Sequence, residues 1–421
     1  MKPLEGIRVV EMSVFWNGPY TARLLAELGA EVVKVEPPWG DPQRYVPPLV
    51  DGISLHFMAY NANKKFITLN LKKEKGRELL FRLLRKADVF VENFSPGTAE
   101  RLGVGYEDVR RVNPRLIYLS STGYGRVGPY SGLPGFDPTV EAMSGFMDTN
   151  GFPERPTRVG MGILDIMTPA YAALAVLAAL RLRDLTGEGQ RIDMSMFDVA
   201  VIASQQSMVY HMAGFPYRVG PSGMFFYPEY LYRTEDGYVY VIVHNDEVWR
   251  RLCARFGRPD MGQDPRFSSN EVRLAAWRRL MEVFKDPEVV NSPSFRVDEL
   301  GDPLLRAGAE MHRTVSSWFA GMKSLEVMEL VNSLGGAAGV MRRLGDQLGD
   351  PHVKARELYV ELKIPSGGKV KIPGSVLKLE RTPGEVLWPG LPLGYHNEEV
   401  YVKELGLSEE EFRKYREEGV I

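Results

Sequence analysis

The sequence is poor in the features that define several large classes of protein. It has one cysteine, Cys253, in 421 residues, which excludes a disulfide framework and a zinc site built from thiolates alone. Its 52 lysines and arginines are balanced by 54 aspartates and glutamates, so it lacks the basic surplus of a general nucleic-acid-binding protein. The longest apolar run, Pro169–Leu180, is shorter than the roughly 20 residues that span a bilayer, and the N-terminus has no apolar secretion signal. We therefore expect a cytoplasmic protein of enzyme size that binds neither nucleic acid nor a membrane.

Several catalytic motifs are also missing. The first strand-turn-helix passes through Trp16-Asn17-Gly18-Pro19 rather than through the G-x-G-x-x-G turn that lets the backbone approach a pyrophosphate. The chain has no P-loop, no H-E-x-x-H and no G-x-S-x-G, and its six histidines are scattered without metal-ligand spacing. These absences disfavour a Rossmann oxidoreductase, and no metal site is expected.

What the sequence does contain is an alternation of two periodicities. Strand-like segments at 7–12, 32–35, 87–91 and 116–120 are separated by helix-like segments that include 21–28 and 75–86. This pattern predicts an α/β fold with an open, Rossmann-like, mostly parallel sheet. Changes in the local sequence pattern further along the chain predict three parts. These are a large domain from 1–221, a smaller α+β domain from 222–335, and a C-terminal segment, 336–421, that returns to the large domain.

The most informative segment is Gly160–Pro169, where Asp165 lies among apolar residues between two glycines and a strong helix. We predict that this helix runs from Pro169 to Arg183 with Thr168 as its N-cap, because proline is well tolerated in the first turn. A helix N-terminus favours a carboxylate. Two interpretations stay open from the residues alone: Asp165 supports the start of the helix, or it is a nucleophile that forms covalent acyl intermediates.

Cationic residues in the first half of the chain have two interpretations as well. Lys64 and Lys65 precede a strand-like segment, and Arg101 lies in another loop. They are either solvated surface charges or a patch for the phosphates of a bulky anionic ligand such as coenzyme A (CoA).

Several segments together resemble the class III CoA-transferases, a group that includes formyl-CoA transferase, carnitine CoA-transferase and α-methylacyl-CoA racemase. The resemblance extends in order from about Leu4 to Ile421. The segments that carry it are Asn61–Lys65, Ala87–Gly97, Phe136–Pro138, Gly160–Asp165, Thr186–Met196 and Leu393–Asn397.

The resemblance implies that Asp165 is the catalytic nucleophile of an acyl-CoA:carboxylate CoA-transferase. It implies an interlocked homodimer, with a CoA thioester as substrate and no metal or other cofactor. The positions that match CoA-contacting or substrate-contacting segments of the family, taken together with the two lysines above, are Trp16, Asn17, Lys64, Lys65, Ile67, Thr68, Leu69, Asn70, Asn93, Phe94, Ser95, Arg101, Pro134, Gly135, Phe136 and Asp137.

Some residues differ from those of the family, and these differences limit the reactions and acyl groups that we expect. Racemases of the family have a histidine where this chain has Phe136, and phenylalanine cannot transfer a proton. The glycine-rich loop of formyl-CoA transferase is matched only by the more aromatic Gly220–Tyr227. This loop and Trp16 favour a branched or longer carbon skeleton over formyl or oxalyl groups, unless the aromatic residues only pack the small domain. The segment 286–311 is longer than usual and has no assigned role.

The predicted activity is therefore CoA transfer through a mixed anhydride and an aspartyl-CoA thioester, between two acids or between two carboxyl groups of one diacid. A 2-methylacyl-CoA racemase and a non-catalytic acyl-CoA-binding subunit are the alternatives.

Overall fold

A computed structural model describes residues 1–421, which form two compact units. The first unit comprises 1–144, 160–203 and 348–421, and the second comprises 145–159 and 204–347. The sequence placed the boundaries at 221 and 335, whereas the structure places them at 203 and 347. The short segment 145–159 joins the second unit because its hairpin is bonded there: Arg218 donates to the carbonyl of Phe152, and Gly220 donates to Gly151.

The first unit is built on a six-stranded sheet in which every neighbouring pair is parallel. This confirms the predicted α/β fold class. Across the sheet, the strands lie in the order Arg191–Ser195, Ile117–Thr122, Val89–Glu92, Arg8–Met12, Glu31–Glu36 and Lys64–Thr68.

Both faces of the sheet are covered, because successive strand residues point to opposite sides. Val10 and Phe90 pack on one face with the helix Glu74–Leu84, and Val9 and Ile117 pack on the other with the helices Asn17–Glu27 and Ile163–Thr186. The other helices of this unit are Leu55–Tyr60, Thr98–Arg101, Tyr106–Val112, Asp137–Met143, Met196–Ala203, Pro351–Ala355 and Glu409–Glu417. Its two-stranded sheets are Leu49–Val50 with Ile53–Ser54 and Tyr359–Lys363 with Lys369–Pro373.

The long helix differs from its predicted bounds. It begins at Ile163 rather than at Pro169, with Gly162 in the left-handed conformation at the N-cap, and it ends at Thr186. Pro169 therefore lies inside the helix, where it removes the hydrogen bond that the backbone carbonyl of Asp165 would otherwise accept. The helix is long and apolar enough to cross a membrane, a test that core helices also pass. Ala172, Val176 and Leu180 are buried against the sheet.

The second unit has its own core. Its antiparallel sheet consists of Glu229–Arg233, Tyr238–Ile242 and Ala337–Val340, and a short hairpin pairs Gly151–Phe152 with Arg155–Pro156. Its helices are Gln205–Met212, Asp246–Arg255, Pro259–Gln263, Asn270–Val283, Pro303–Ala320 and Ser324–Ser333.

The segment 286–311, which had no assigned role, closes this core. Val290 is fully buried in it, and Arg313 donates hydrogen bonds to the carbonyls of Val290 and Phe295 at 2.6 and 3.0 Å. The segment is therefore a structural part of the second unit.

Candidate active site

A pocket of about 350 Å³ lies at the carboxyl ends of four neighbouring strands of the first unit. From the central strand Arg8–Met12 the chain builds the sheet outward in both directions, so the following loops diverge there. In open α/β sheets this switch point leaves a crevice in which ligands bind. The pocket is lined by Val14, Phe15, Trp16, Asn17, Asn93, Phe94, Ser95, Thr98, Ser121, Thr122, Gly123, Pro134, Gly135, Phe136, Asp137, Asp165 and Met196.

The loop after the central strand is fixed from both sides. The Asn93 side chain accepts a hydrogen bond from the backbone N–H of Val14 at 2.9 Å and donates to the carbonyl of Val14 at 2.8 Å. Phe15 has φ +61°, a left-handed conformation that is uncommon for a bulky residue, and its N–H donates to Asp41. This backbone presents the Phe15 ring to the pocket, 6.2 Å from the Phe136 ring in an edge-to-face contact. Both rings are substantially exposed.

Asp165 occupies the first turn of the long helix, and its half-buried side chain lines the pocket. The left-handed Gly162 (φ +74°) permits the sharp entry into this turn. A Cβ atom at position 162 would lie 2.7 Å from Cζ3 of Trp16, so glycine also makes room for the indole. The backbone N–H groups at this end carry partial positive charge, which stabilises a carboxylate in the first turn.

A second carboxylate holds this helix start in place. Asp137, which is almost fully buried, accepts hydrogen bonds at Oδ2 from the backbone N–H groups of Leu164 at 2.7 Å and of Asp165 at 3.2 Å. Asp137 begins a short helix of its own, Asp137–Met143, whose first turn is capped by Thr139. The carboxylate of Asp137 thus couples two helix starts and sets the backbone position of Asp165.

The Trp16 ring forms the wall beside Asp165. It stacks on Tyr60 at 5.7 Å with an angle of 16° between the planes, and it contacts His56 at 5.6 Å. Burial and the nearby negative charge of Asp165 raise the pKa of Tyr60 to about 12. The Tyr60 hydroxyl therefore stays protonated at neutral pH.

Another part of the pocket wall consists of a polar pair, Asn17 and Ser121, and of two closely packed backbone segments. Ser121 donates to Oδ1 of Asn17 at 2.9 Å, which fixes the amide and leaves its N–H groups for the pocket. Gly123 and Gly135 bring two backbones into contact, since a Cβ on either would lie 2.5 Å from the Cα of the other. Neither position has room for a side chain.

The structure brings most of the predicted site residues together. Those that line the pocket are Trp16, Asn17, Asn93, Phe94, Ser95, Pro134, Gly135, Phe136, Asp137 and Asp165. Arg101 lies beside it, donating to the hydroxyl of Thr98 at 2.6 Å with an exposed side chain.

Lys64 and Lys65 do not lie at the pocket, which corrects their assignment to a phosphate patch. Lys64 is completely buried and bonds to Glu11 at 2.6 Å and to the Pro19 carbonyl at 2.8 Å. Burial lowers the pKa of Lys64 to about 7, although the Glu11 carboxylate opposes the effect. Lys65 is paired with Glu404 at 2.7 Å.

The predicted contacts from Ile67 to Asn70 are not among the pocket residues either. Ile67 and Leu69 are buried in the core beneath the sheet. The Thr68 hydroxyl accepts from Asn397 at 2.8 Å, and Asn70 donates to the Gly419 carbonyl at 3.1 Å. These side chains tie the edge strand to the C-terminal segment.

Sequence reasoning missed seven lining residues: Val14, Phe15, Thr98, Ser121, Thr122, Gly123 and Met196. Five of them, Val14, Phe15, Ser121, Thr122 and Gly123, come just after the predicted strands 7–12 and 116–120. Ligands of open parallel sheets bind at the carboxyl ends of the strands, so this rule could have identified these five.

The aromatic loop Gly220–Tyr227 belongs to the second unit. Tyr227 is fully buried there, stacked on Trp277 at 4.4 Å and bonded to His312 at 2.7 Å. This supports a packing role for Tyr227. Phe225 is partly exposed.

Comparison with known proteins agrees with this fold. The model of CoA-transferase family III matches residues 4–397. The chain is 34% identical over 427 residues to succinyl-CoA–D-citramalate CoA-transferase of Chloroflexus aurantiacus, covering 100% of this chain and 98% of that protein. It is 35% identical over 441 residues to formyl-CoA:oxalate CoA-transferase of Streptomyces coelicolor, covering 100% and 99%. The crystal structure of a CaiB/BaiF family protein from Brucella suis superposes with a TM-score of 0.79 at 30% identity, covering 96% of this chain and 99% of that one.

The chain therefore belongs to CoA-transferase family III, as the motifs indicated. Its activity is that of a CoA-transferase.

Proposed function

We propose that the protein moves CoA from an acyl-CoA to a carboxylic acid with Asp165 as the nucleophile. The observation that carries this proposal is the position of Asp165, in the first turn of a helix and on the wall of the switch-point pocket. A carboxylate oxygen of Asp165 attacks the thioester carbonyl, the C–S bond breaks, and CoA thiolate leaves a mixed anhydride. The thiolate then attacks the aspartyl carbon, which releases the donor acid and forms an aspartyl-CoA thioester.

The second half of the cycle reverses these steps. The acceptor carboxylate attacks the aspartyl thioester and releases the thiolate, which then attacks the acyl carbon of the new anhydride and regenerates Asp165. No proton or electron is gained or lost over the cycle. Water must be kept from the anhydride, and the rings of Trp16, Phe15 and Phe136 are among the apolar groups that line the pocket.

Asn17 is the donor best placed to stabilise the oxyanion of each tetrahedral intermediate. Ser121 fixes its amide, so the N–H groups are oriented before the substrate arrives. Preorganised donors of this kind contribute a large share of transition-state stabilisation in acyl transfer.

Arg101 is the cation that we assign to the CoA phosphates. It is exposed, and its hydrogen bond to Thr98 places it next to a pocket residue. Arg101→Ala is expected to weaken CoA binding by about tenfold at low salt. Arg111→Ala, another exposed arginine, is the control, and equal affinities for the two variants would contradict the assignment.

The nucleophile is tested by trapping. With acyl-CoA alone, hydroxylamine should release a hydroxamate and leave a modified peptide that contains Asp165. Asp165→Ala should abolish both the adduct and the transfer, while Asp184→Ala, an exposed position on the same helix, should keep them. Near wild-type turnover by Asp165→Ala would overturn the proposal.

The proposal also includes a preferred size for the acyl group. The chain is similar to a transferase named for succinyl-CoA and to one named for formyl-CoA. We favour acids of four or five carbons, because Trp16 and Phe15 give the pocket large apolar walls. A higher kcat/KM for formyl-CoA or oxalate than for such acids would contradict this choice.

Racemisation is not part of the proposed function. Phe136 lines the pocket where the racemases of the family have histidine, and its ring cannot accept a proton. We expect no deuterium exchange at the α-carbon of a 2-methylacyl-CoA in deuterated buffer.

The two-chain assembly and the cytoplasmic location stay predictions. Sedimentation equilibrium at micromolar concentration should give twice the chain mass of 47.4 kDa, and cell fractionation should recover the protein with cytosolic markers.

A further inference from the structure

The loop between the central strand and the first helix supplies four consecutive residues of the pocket, Val14–Asn17. The two ends of this loop touch each other, because a Cβ atom on Gly18 would collide with the side chain of Ser13. The loop is therefore a closed turn. Whatever holds its two ends also sets the position of the Asn17 amide at the pocket wall.

Buried charges hold the first end of the turn. Lys34 donates to the Ser13 carbonyl at 2.7 Å and to Oε1 of Glu11 at 2.9 Å. The Ser13 hydroxyl donates to the same oxygen of Glu11 at 2.6 Å. Asp41 pairs with Lys34 at 3.2 Å and accepts a hydrogen bond from the N–H of Phe15. The side chains of Lys34, Glu11 and Asp41 are completely buried, so water does not compete for these bonds.

Lys64 holds the second end of the turn. Its ammonium group donates at 2.8 Å to the carbonyl of Pro19, the third residue of the first helix, and at 2.8 Å to Oδ1 of Asn61. Its third contact is Oε2 of Glu11 at 2.6 Å. An ammonium group has three N–H donors, and three acceptors surround this one. Glu11 links the two ends, since one of its oxygens faces Lys34 and the other faces Lys64.

The four buried groups of this cluster balance each other, with two carboxylates, Glu11 and Asp41, and two ammonium groups, Lys34 and Lys64. Buried ion pairs often add no net stability compared with apolar packing. What apolar side chains cannot supply is a directed donor to a backbone carbonyl at each end of the turn. The bonds to the carbonyls of the turn are therefore the informative feature of the cluster.

We propose that Lys64 is a positioning residue for CoA transfer, which fixes the first turn of the helix through the Pro19 carbonyl and thereby orients the Asn17 amide. This inference rests on the proposed role of Asn17 as the oxyanion donor. Lys64 is not among the residues that line the pocket. Loss of its ammonium group should therefore change kcat more than the KM for acyl-CoA.

The first test removes the ammonium group from the full-length protein. Lys64→Met keeps an unbranched apolar side chain, and its kcat should fall by about 10- to 100-fold, the range expected when a catalytic donor is displaced by about 1 Å. Lys65→Met is the matched control, because the neighbouring lysine pairs with Glu404 instead. Its kcat should stay at the wild-type value. Circular dichroism and thermal unfolding establish that each variant is folded at the assay temperature.

A second variant separates positioning from charge balance. Lys64→Met leaves Glu11 and Asp41 facing Lys34 alone, and the double variant Glu11→Gln/Lys64→Met restores one charge of each sign. The double variant should regain part of the lost Tm, whereas its kcat should stay low because the bond to the Pro19 carbonyl is still missing. Recovery of kcat together with Tm would show that Lys64 only balances charge and would overturn the inference.

A double-mutant cycle tests whether Lys64 acts through Asn17. Asn17→Ala alone should lower kcat, and adding Lys64→Met to it should cost much less than Lys64→Met costs in the wild type, because coupled residues are not additive. A low kcat in Asn17→Ala with an equal further loss in both backgrounds overturns this inference and leaves the oxyanion role standing. Wild-type kcat in Asn17→Ala overturns the oxyanion role and the inference with it.

Discussion

The carboxylate of Asp137 offers the sharpest test of how the fold positions the nucleophile. It accepts one short and one longer hydrogen bond, 2.7 and 3.2 Å, from backbone N–H groups at the start of the long helix. Hydrogen bonds to a charged group contribute about 1.5–3 kcal/mol each. Because the second bond is long, we expect Asp137→Ala to destabilise the protein by roughly 2–4 kcal/mol. Asp137→Asn keeps an acceptor oxygen but loses the charge at the helix end, which corresponds to about 1 kcal/mol.

Asp137→Ala should change kcat more than it changes the KM for acyl-CoA. A nucleophile displaced by about 1 Å loses on the order of a hundredfold in rate, so kcat of Asp137→Ala should fall by about 10- to 100-fold. The KM for acyl-CoA should change less than kcat, because the Asp137 carboxylate is bonded to the start of the helix that carries Asp165. Steady-state kinetics and thermal unfolding measure both quantities.

Thr139→Ala is the matched control for Asp137. Thr139 caps the same turn through the N–H of Phe136 at 3.0 Å and makes no bond to the long helix. Its loss should reduce stability by about 1 kcal/mol and leave kcat nearly unchanged. If Asp137→Ala lowers stability while kcat stays at the wild-type value, Asp137 does not position the nucleophile and the reasoning is refuted.

Two further predictions concern the backbone and the second unit. Gly162→Ala and Gly160→Ala both place a side chain at positive φ and should lose about 1–2 kcal/mol each. Only Gly162→Ala should lose activity, because only its Cβ would displace Trp16; equal activities of the two variants would contradict this. In the second unit, the His312 ring, whose Nε2 lies 3.4 Å from Oε1 of Glu288, holds the pKa of Glu288 at about 2 against the effect of burial. A carboxyl group with a lowered folded-state pKa stabilises the protein above its unfolded pKa, and that contribution is lost as the pH falls. The difference in Tm between wild type and Glu288→Gln should therefore be full above about pH 4.5 and shrink towards pH 2, and a pH-independent difference would contradict the assignment.

The sequence alone was sufficient to predict the parallel sheet and the position of Asp165 near the start of a long helix. Buried strands such as Ile117–Thr122 are recognisable because apolar residues run without interruption when both faces are covered. Gly160, Gly162 and the long apolar helix mark Asp165 by local conformation alone. The same rules misplaced the first turn of that helix, because proline is tolerated inside it once tertiary packing stabilises the flanking turns.

What only the tertiary structure decided is which charges face a ligand. Lys64 and Lys65 are neighbours in sequence, yet alternation along the strand sends the first into a buried contact with Glu11 and the second to Glu404 at the surface. The sequence cannot show this, since Glu11 and Glu404 become partners only when the sheet forms. Lys371 is the converse case. This lysine of a short hairpin lines a cavity together with Tyr60 and Ile166, because Arg23 ties that hairpin to helices more than 300 residues away. Local pattern determines which segments form strands and helices, whereas the partner of each charge depends on contacts between segments that are distant in sequence.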